Sequence, residues 1–184
     1  PAGGRSFEYF SEDPLLSGRA AVALVRGIQA EGVGACAKHF AVNNQEGFRM
    51  RLDTVVDERT LRELYLPAFE AVVREESPWA VMSAYNLVNG EHAGESRWLL
   101  TDVLREEWGF SGLVVSDWLA VAGRTAGLHA GPDLEMPSST GAWNGRVVEA
   151  LDSGALAEAD LDLACARVVE LALRVGAGRD AAGG

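Results

Sequence analysis

The sequence has 184 residues, 48% of them apolar, with 21 Gly and 6 Pro; that suits one ordinary hydrophobic core and is too little for two. A complete eight-stranded α/β barrel takes about 250 residues, so the chain is short for one. The net charge of -11 excludes a surface of clustered Lys and Arg that neutralises phosphates, and no apolar run approaches the roughly 18 residues of a membrane span. Neither nucleic acid nor a membrane is therefore an expected partner.

The chain opens Pro1-Ala2-Gly3-Gly4, with neither an initiator Met nor a signal-peptide pattern, and reads as the middle of a longer protein. Its cellular location is not legible. From there amphipathic helical stretches alternate with short apolar runs. The first helix is expected over Asp13 to Glu31 and the first strand over Val33 to Phe40. A second helix covers Asp57 to Glu76, where Leu61, Leu64, Tyr65, Ala68, Phe69 and Val72 form one face at three-and-four spacing, with Pro67 breaking or kinking it midway. A strand follows over Trp79 to Tyr85, then a helix from Ser96, its N-cap, to Trp108, closed by Gly109. Gly112 to Asp117 and, more weakly, Asp133 to Met136 are the last strands. Helices over Asn144 to Ser153 and Glu158 to Val175 complete residues 1–175, and Gly176 to Gly184 reads as a disordered tail or a linker. Nearly continuous apolar strands alternating with helices imply an α/β fold with a parallel sheet covered on both sides. Cys36 and Cys165 lack metal-like spacing and are expected to be buried free thiols.

The chemistry lies where the strands stop. They end in Lys38-His39, in Ser83-Ala84-Tyr85-Asn86 and in Ser116-Asp117-Trp118, and the fourth carries Asp133 and Glu135. In α/β barrels the C-terminal strand ends face the active site, so one rim would collect a cation, an imidazole, a phenol, an indole and carboxylates. Each alone has an ordinary structural reading: a snorkelling Lys38, a satisfied core His39, Tyr85 in a turn, Trp118 as packing. Jointly they favour a site. Charged hydrogen-bonding groups beside aromatic faces suit a sugar, and glycoside hydrolysis needs two carboxyl groups. No zinc spacing, serine nucleophile elbow or phosphate loop is present.

Several segments resemble glycoside hydrolase family 3: Gly4-Arg5-Ser6-Phe7-Glu8-Tyr9-Phe10-Ser11-Glu12-Asp13-Pro14, Lys38-His39-Phe40 with Asn43-Asn44-Gln45-Glu46, and Val56-Asp57-Glu58-Arg59-Thr60-Leu61. So do Val81-Met82-Ser83-Ala84-Tyr85-Asn86 with Val88-Asn89-Gly90, Glu107-Trp108-Gly109-Phe110, Val114-Val115-Ser116-Asp117-Trp118 and Asp133-Leu134-Glu135-Met136-Pro137. The resemblance implies a TIM-type (β/α)8 barrel of which only the later part, about four βα units, is present. It implies retaining hydrolysis of terminal β-glycosidic bonds, with Asp117 as nucleophile and a covalent glycosyl-enzyme. Arg5, Lys38, His39 and Tyr85 would surround the glycone and Trp118 would shape its pocket, with no metal or organic cofactor.

After Lys38-His39-Phe40 the chain continues Ala41-Val42-Asn43-Asn44-Gln45-Glu46, which is similar to the β-glucosidase branch and not to the branch with a His acid/base in this loop. In that branch the general acid is a Glu of a second domain, absent here along with the early barrel strands. Glu46 and Glu135 are acid candidates by position only. The expected partners are thus a β-linked oligosaccharide or glucoside substrate and the missing parts of the same protein, and the isolated chain is expected to be inactive. A β-xylosidase, a glycoside phosphorylase and a non-catalytic sugar-binding scaffold are the alternatives.

Overall fold

A computed structural model describes residues 3–182. A 3₁₀ turn, Ser6–Glu8, leads into α1 (Pro14–Ala30), which is capped by Asp13: its carboxylate accepts from Leu16 N at 2.7 Å, and Pro14 occupies the first helical position. Strand β1 (Cys36–Phe40) follows, then a two-residue β2 (Asp53–Thr54) and α2 (Glu58–Thr60), where Asp57 accepts from Thr60 N at 2.9 Å. A π-helical stretch, Leu61–Tyr65, joins α2 to α3 (Pro67–Glu76). Next come β3 (Ala80–Ser83), β4 (Leu87–Val88), β5 (Glu91–His92), a π-helical segment over Trp98–Glu107, and β6 (Leu113–Ser116). Helices α4 (Arg124–Ala130), α5 (Asn144–Asp152) and α6 (Glu158–Ala182) complete the chain.

The fold is α/β. Its main sheet is parallel, in the order β1-β3-β6, with Ser83 level with both Phe40 and Ser116. Val81 and Val114 are wholly buried against Leu99, Leu100, Val103 and Leu104. The neighbouring residues Ala80, Leu113 and Val115 face the other way and pack on Val168 and Leu171 of α6. Side-chain alternation along strands apolar on both faces explains this two-sided burial. The expected fourth strand is reduced to one parallel bridge, Leu134 to Val115.

Three readings of the sequence are corrected and one feature is added. Leu64 is exposed although it belongs to the predicted apolar face, while Leu66 and Val73 are buried. Pro67 lacks an N–H, and the turn before it widens so that Leu66 N bonds Leu61 O; the extra residue rotates the face. Cys36 and Cys165 are free but exposed, Cys36 on the edge strand of the sheet. The last helix does not stop at Val175 but continues to Ala182, since Gly176 and Gly178 weaken a helix without breaking it; Gly183 and Gly184 lie outside the described residues. Finally, a small sheet in the order β2-β4-β5 was not anticipated. Its hairpin turns on Asn89 and Gly90, both at positive φ (52° and 88°), the pair that a two-residue turn between twisted strands favours.

Candidate active site

The register brings the C-terminal ends of β1, β3 and β6 to one place. The pairing of β1 with β3 shifts between Ala37 and Phe40, and such a bulge re-aims side chains at a strand end. Lys38 and His39 leave from this shifted stretch, Tyr85 follows β3 and Asp117 follows β6.

Asp117 is 5% exposed. Its Oδ1 accepts from Trp118 N at 2.6 Å, and its Oδ2 lies 3.4 Å from His39 Nε2 and makes no hydrogen bond among the described residues. His39 is equally buried, and Tyr9 Oη sits 2.7 Å from its Nδ1. Burial first, then the nearby Arg5, pushes the His39 pKa down to about 4 against the pull of Asp117. The ring is thus neutral near pH 7. The tautomer that suits both neighbours accepts the Tyr9 O–H at Nδ1 and turns Nε2–H toward the carboxylate.

The Tyr85 phenol is held above its ordinary pKa by burial and then by the Asp117 charge. Arg49 lies over its ring, 4.3 Å from the centroid, and bonds Glu46 Oε2 at 2.6 Å. Trp118 is 55% exposed at the edge of this group. The next residue, Leu119, has φ 64° and donates its N–H to Met136 O at 2.9 Å, fixing the turn behind Asp117.

Arg5 and Lys38 meet at Glu8. Lys38 Nζ is 2.9 Å from Glu8 Oε2, and Arg5 Nε donates to Oε1. Arg5, with Lys38 beside it, holds the Glu8 carboxyl down at about 2. Neither Glu8 nor Tyr9 was singled out from the sequence, although both lie inside a segment that carries a family resemblance. The available signal was charge: two cations at one pocket need an anion between them.

The other carboxylates are each engaged by neighbouring side chains or backbone. Glu46 is engaged by Arg49 and Asn43, and Glu135 accepts from Ser139 Oγ at 3.2 Å. Asp133, expected at the rim, is instead 3% exposed and occupied on both oxygens: Val114 N and Arg105 Nη2 reach Oδ2 at 2.7 and 2.8 Å, and Arg167 Nη1 reaches Oδ1 at 2.9 Å. It stands before the Leu134 bridge and bonds back into the sheet, which removes it from the strand ends. No group of His, Cys, Asp and Glu among the described residues is arranged to hold a metal ion.

The arrangement offers a buried carboxylate fixed at one oxygen by a backbone N–H, a neutral imidazole and a phenol beside it, and two anchored cations with an exposed indole. The Glycosyl hydrolase family 3 N terminal domain matches residues 1–171. The thermostable beta-glucosidase B of Acetivibrio thermocellus is 55% identical over 93% of the chain and 23% of its own length. An exo-alpha-(1->6)-L-arabinopyranosidase of Bifidobacterium longum is 49% identical over 93% of the chain and 22% of its own length. Among solved structures, beta-glucosidase 3B from Thermotoga neapolitana in complex with glucose superposes with a TM-score of 0.90 at 46% identity, covering 97% of this chain and 26% of that one. The beta-glucosidase of Kluyveromyces marxianus in complex with glucose gives 0.94 at 39% identity, covering 98% and 22%. The chain therefore spans about a quarter of the length of the relatives it matches.

Proposed function

Because the chain belongs to glycosyl hydrolase family 3, we propose that it carries the nucleophile of a retaining β-glucosidase and that this nucleophile is Asp117. The observation that supports this is the Asp117 carboxylate itself: buried at a strand end, with Oδ1 fixed by a backbone N–H and Oδ2 without a hydrogen bond among the described residues. In this reading Oδ2 attacks the anomeric carbon, the bond to the aglycone oxygen breaks, and a glycosyl ester forms that water later hydrolyses. Neutral His39, Tyr85, Lys38 and Arg5 bind the glycone hydroxyls, and Trp118 offers its face to the sugar ring.

Residues 1–175 are then consecutive βα units from the later part of a (β/α)8 barrel. The carboxyl that protonates the leaving group stands about 5–5.5 Å from the nucleophile in a retaining enzyme. We assign it to a part of the protein beyond these 184 residues. The substrate is a terminal β-glucoside or a pyranoside of similar shape.

The test is covalent trapping in the complete protein. A 2-deoxy-2-fluoro-β-glucoside with a good leaving group slows breakdown of the intermediate more than its formation, and peptide mapping reads the labelled residue. A label on Asp117 is expected; one on Glu46 or Glu135 overturns the reading. Residues 1–184 alone should not turn over an unactivated substrate such as cellobiose. Sustained hydrolysis abolished by Asp117→Ala would place the acid inside this chain.

A further inference from the structure

The Arg5–Glu8–Lys38 triad has a member with no role in the chemistry proposed above. Glu8 sits at the end of the 3₁₀ turn Ser6–Glu8, whose backbone bonds Glu8 N to Arg5 O (3.1 Å) and Tyr9 N to Ser6 O (3.3 Å). The turn folds the carboxylate back onto the guanidinium three residues earlier and leaves Oε2 for Lys38, 30 residues away in sequence. The turn is also pinned from below. A Cβ on Gly4 would meet Glu46 Cγ at 2.9 Å, and one on Gly3 would meet Asn44 O at 3.1 Å, so the segment lies flat on the loop after β1. The Glu8 side chain is 20% exposed and the Lys38 side chain 40%.

We propose that Glu8 is a positioning residue, which holds the Lys38 ammonium and the Arg5 guanidinium against the glycone without touching the reacting atoms. The inference rests on the glycosidase reading above. Two cations side by side repel each other, and a half-exposed lysine on four flexible carbons otherwise turns to water. An anion between them offsets the repulsion and fixes both heads at the pocket wall before the sugar arrives, which lowers the ordering cost of binding. Lys38 and Arg5 meet hydroxyls of the bound sugar before and during reaction alike, so their loss of position weakens binding more than chemistry.

The experiment uses the complete protein and 4-nitrophenyl β-glucoside. Glu8→Gln should raise KM about tenfold, the loss of roughly one charge-assisted hydrogen bond, with kcat within about threefold. In a Lys38→Ala background that penalty should shrink to the part that runs through Arg5, because Glu8 then has one cation left to position. Glu8→Asp keeps the charge but is one methylene short, and should show a smaller loss confined to KM; it carries the test should Glu8→Gln not fold. An unchanged KM, a loss confined to kcat, or the same penalty with and without Lys38 would overturn the assignment. Trapping in the unsubstituted protein separates the two readings. A label away from Asp117 removes the nucleophile assignment, whereas a label on Asp117 with silent Glu8 variants removes only the role of Glu8.

Discussion

Two aspartates are almost equally buried on neighbouring parts of the sheet, and they are opposites in chemistry. Asp133 accepts from Arg105, Arg167 and Val114 N, so both oxygens are committed. Asp117 accepts from one backbone N–H and keeps Oδ2 beside a neutral imidazole at 3.4 Å. A carboxylate saturated with cationic donors is a structural anchor whose lone pairs cannot serve as a nucleophile. One held by a single backbone N–H is oriented and, in the proposed reading, still reactive. Burial alone does not tell the two apart; the count of cationic donors does.

The contrast breaks most sharply under substitution. Asp117→Asn in the complete protein should reduce kcat by several orders of magnitude while the unfolding temperature stays within a few degrees. A near-normal rate would make Asp117 a second anchor. Asp133→Asn should do the reverse, leaving two guanidiniums facing a neutral amide. Removing one partner of a buried ion pair costs about 3–5 kcal/mol, and the partial exposure of Arg167 favours the lower end. Denaturant midpoints check this, and a wild-type midpoint would sink the anchor role.

Smaller effects sharpen the Asp117 side. Lys38→Ala and His39→Ala should each lower kcat/KM more than tenfold, about 1.5–3 kcal/mol per charge-assisted bond. Unaltered kinetics in both would return them to packing roles. Tyr9→Phe removes the donor to His39 Nδ1 and should cost about 1 kcal/mol, roughly fivefold in kcat/KM. The smallest signal is in pH. The folded His39 pKa lies below its ordinary 6.5, with a value of about 4. Between those pH values the unfolded chain binds a proton that the folded one does not, so this histidine stabilises the fold above pH 6.5 and loses that contribution as pH falls toward 4. Stability measured against pH in His39→Gln should lack this component.

The sequence made much of this legible where a local rule and a tertiary result coincide. Apolar runs that end in polar residues located β1, β3 and β6, and with them Lys38, His39, Tyr85 and Asp117. Asp133 escaped because its surroundings are set by Arg105 and Arg167, 28 and 34 positions away, and no period along one strand encodes such a meeting. Glu8 and Tyr9 were missed for the same reason: their partners Lys38 and His39 lie on β1, 30 positions further along the chain. The Asn89-Gly90 hairpin had a plain local signal that a search for long elements passes over. Leu64 followed the helical period faithfully and was displaced only by the widened turn before Pro67.

The Asp133 anchor also has a consequence in time. Its Oδ2 accepts the Val114 N–H, and its own N–H donates to Val114 O at 2.8 Å, so one residue closes both backbone groups of a wholly buried valine. No fraying of a nearby loop uncovers that amide. Its hydrogen should exchange with deuterium only through the slowest, global opening of the domain. Asp117 stands three residues further along the chain, just past the end of that strand, and on this account the floor beneath it stays shut for far longer than any loop at the mouth stays still.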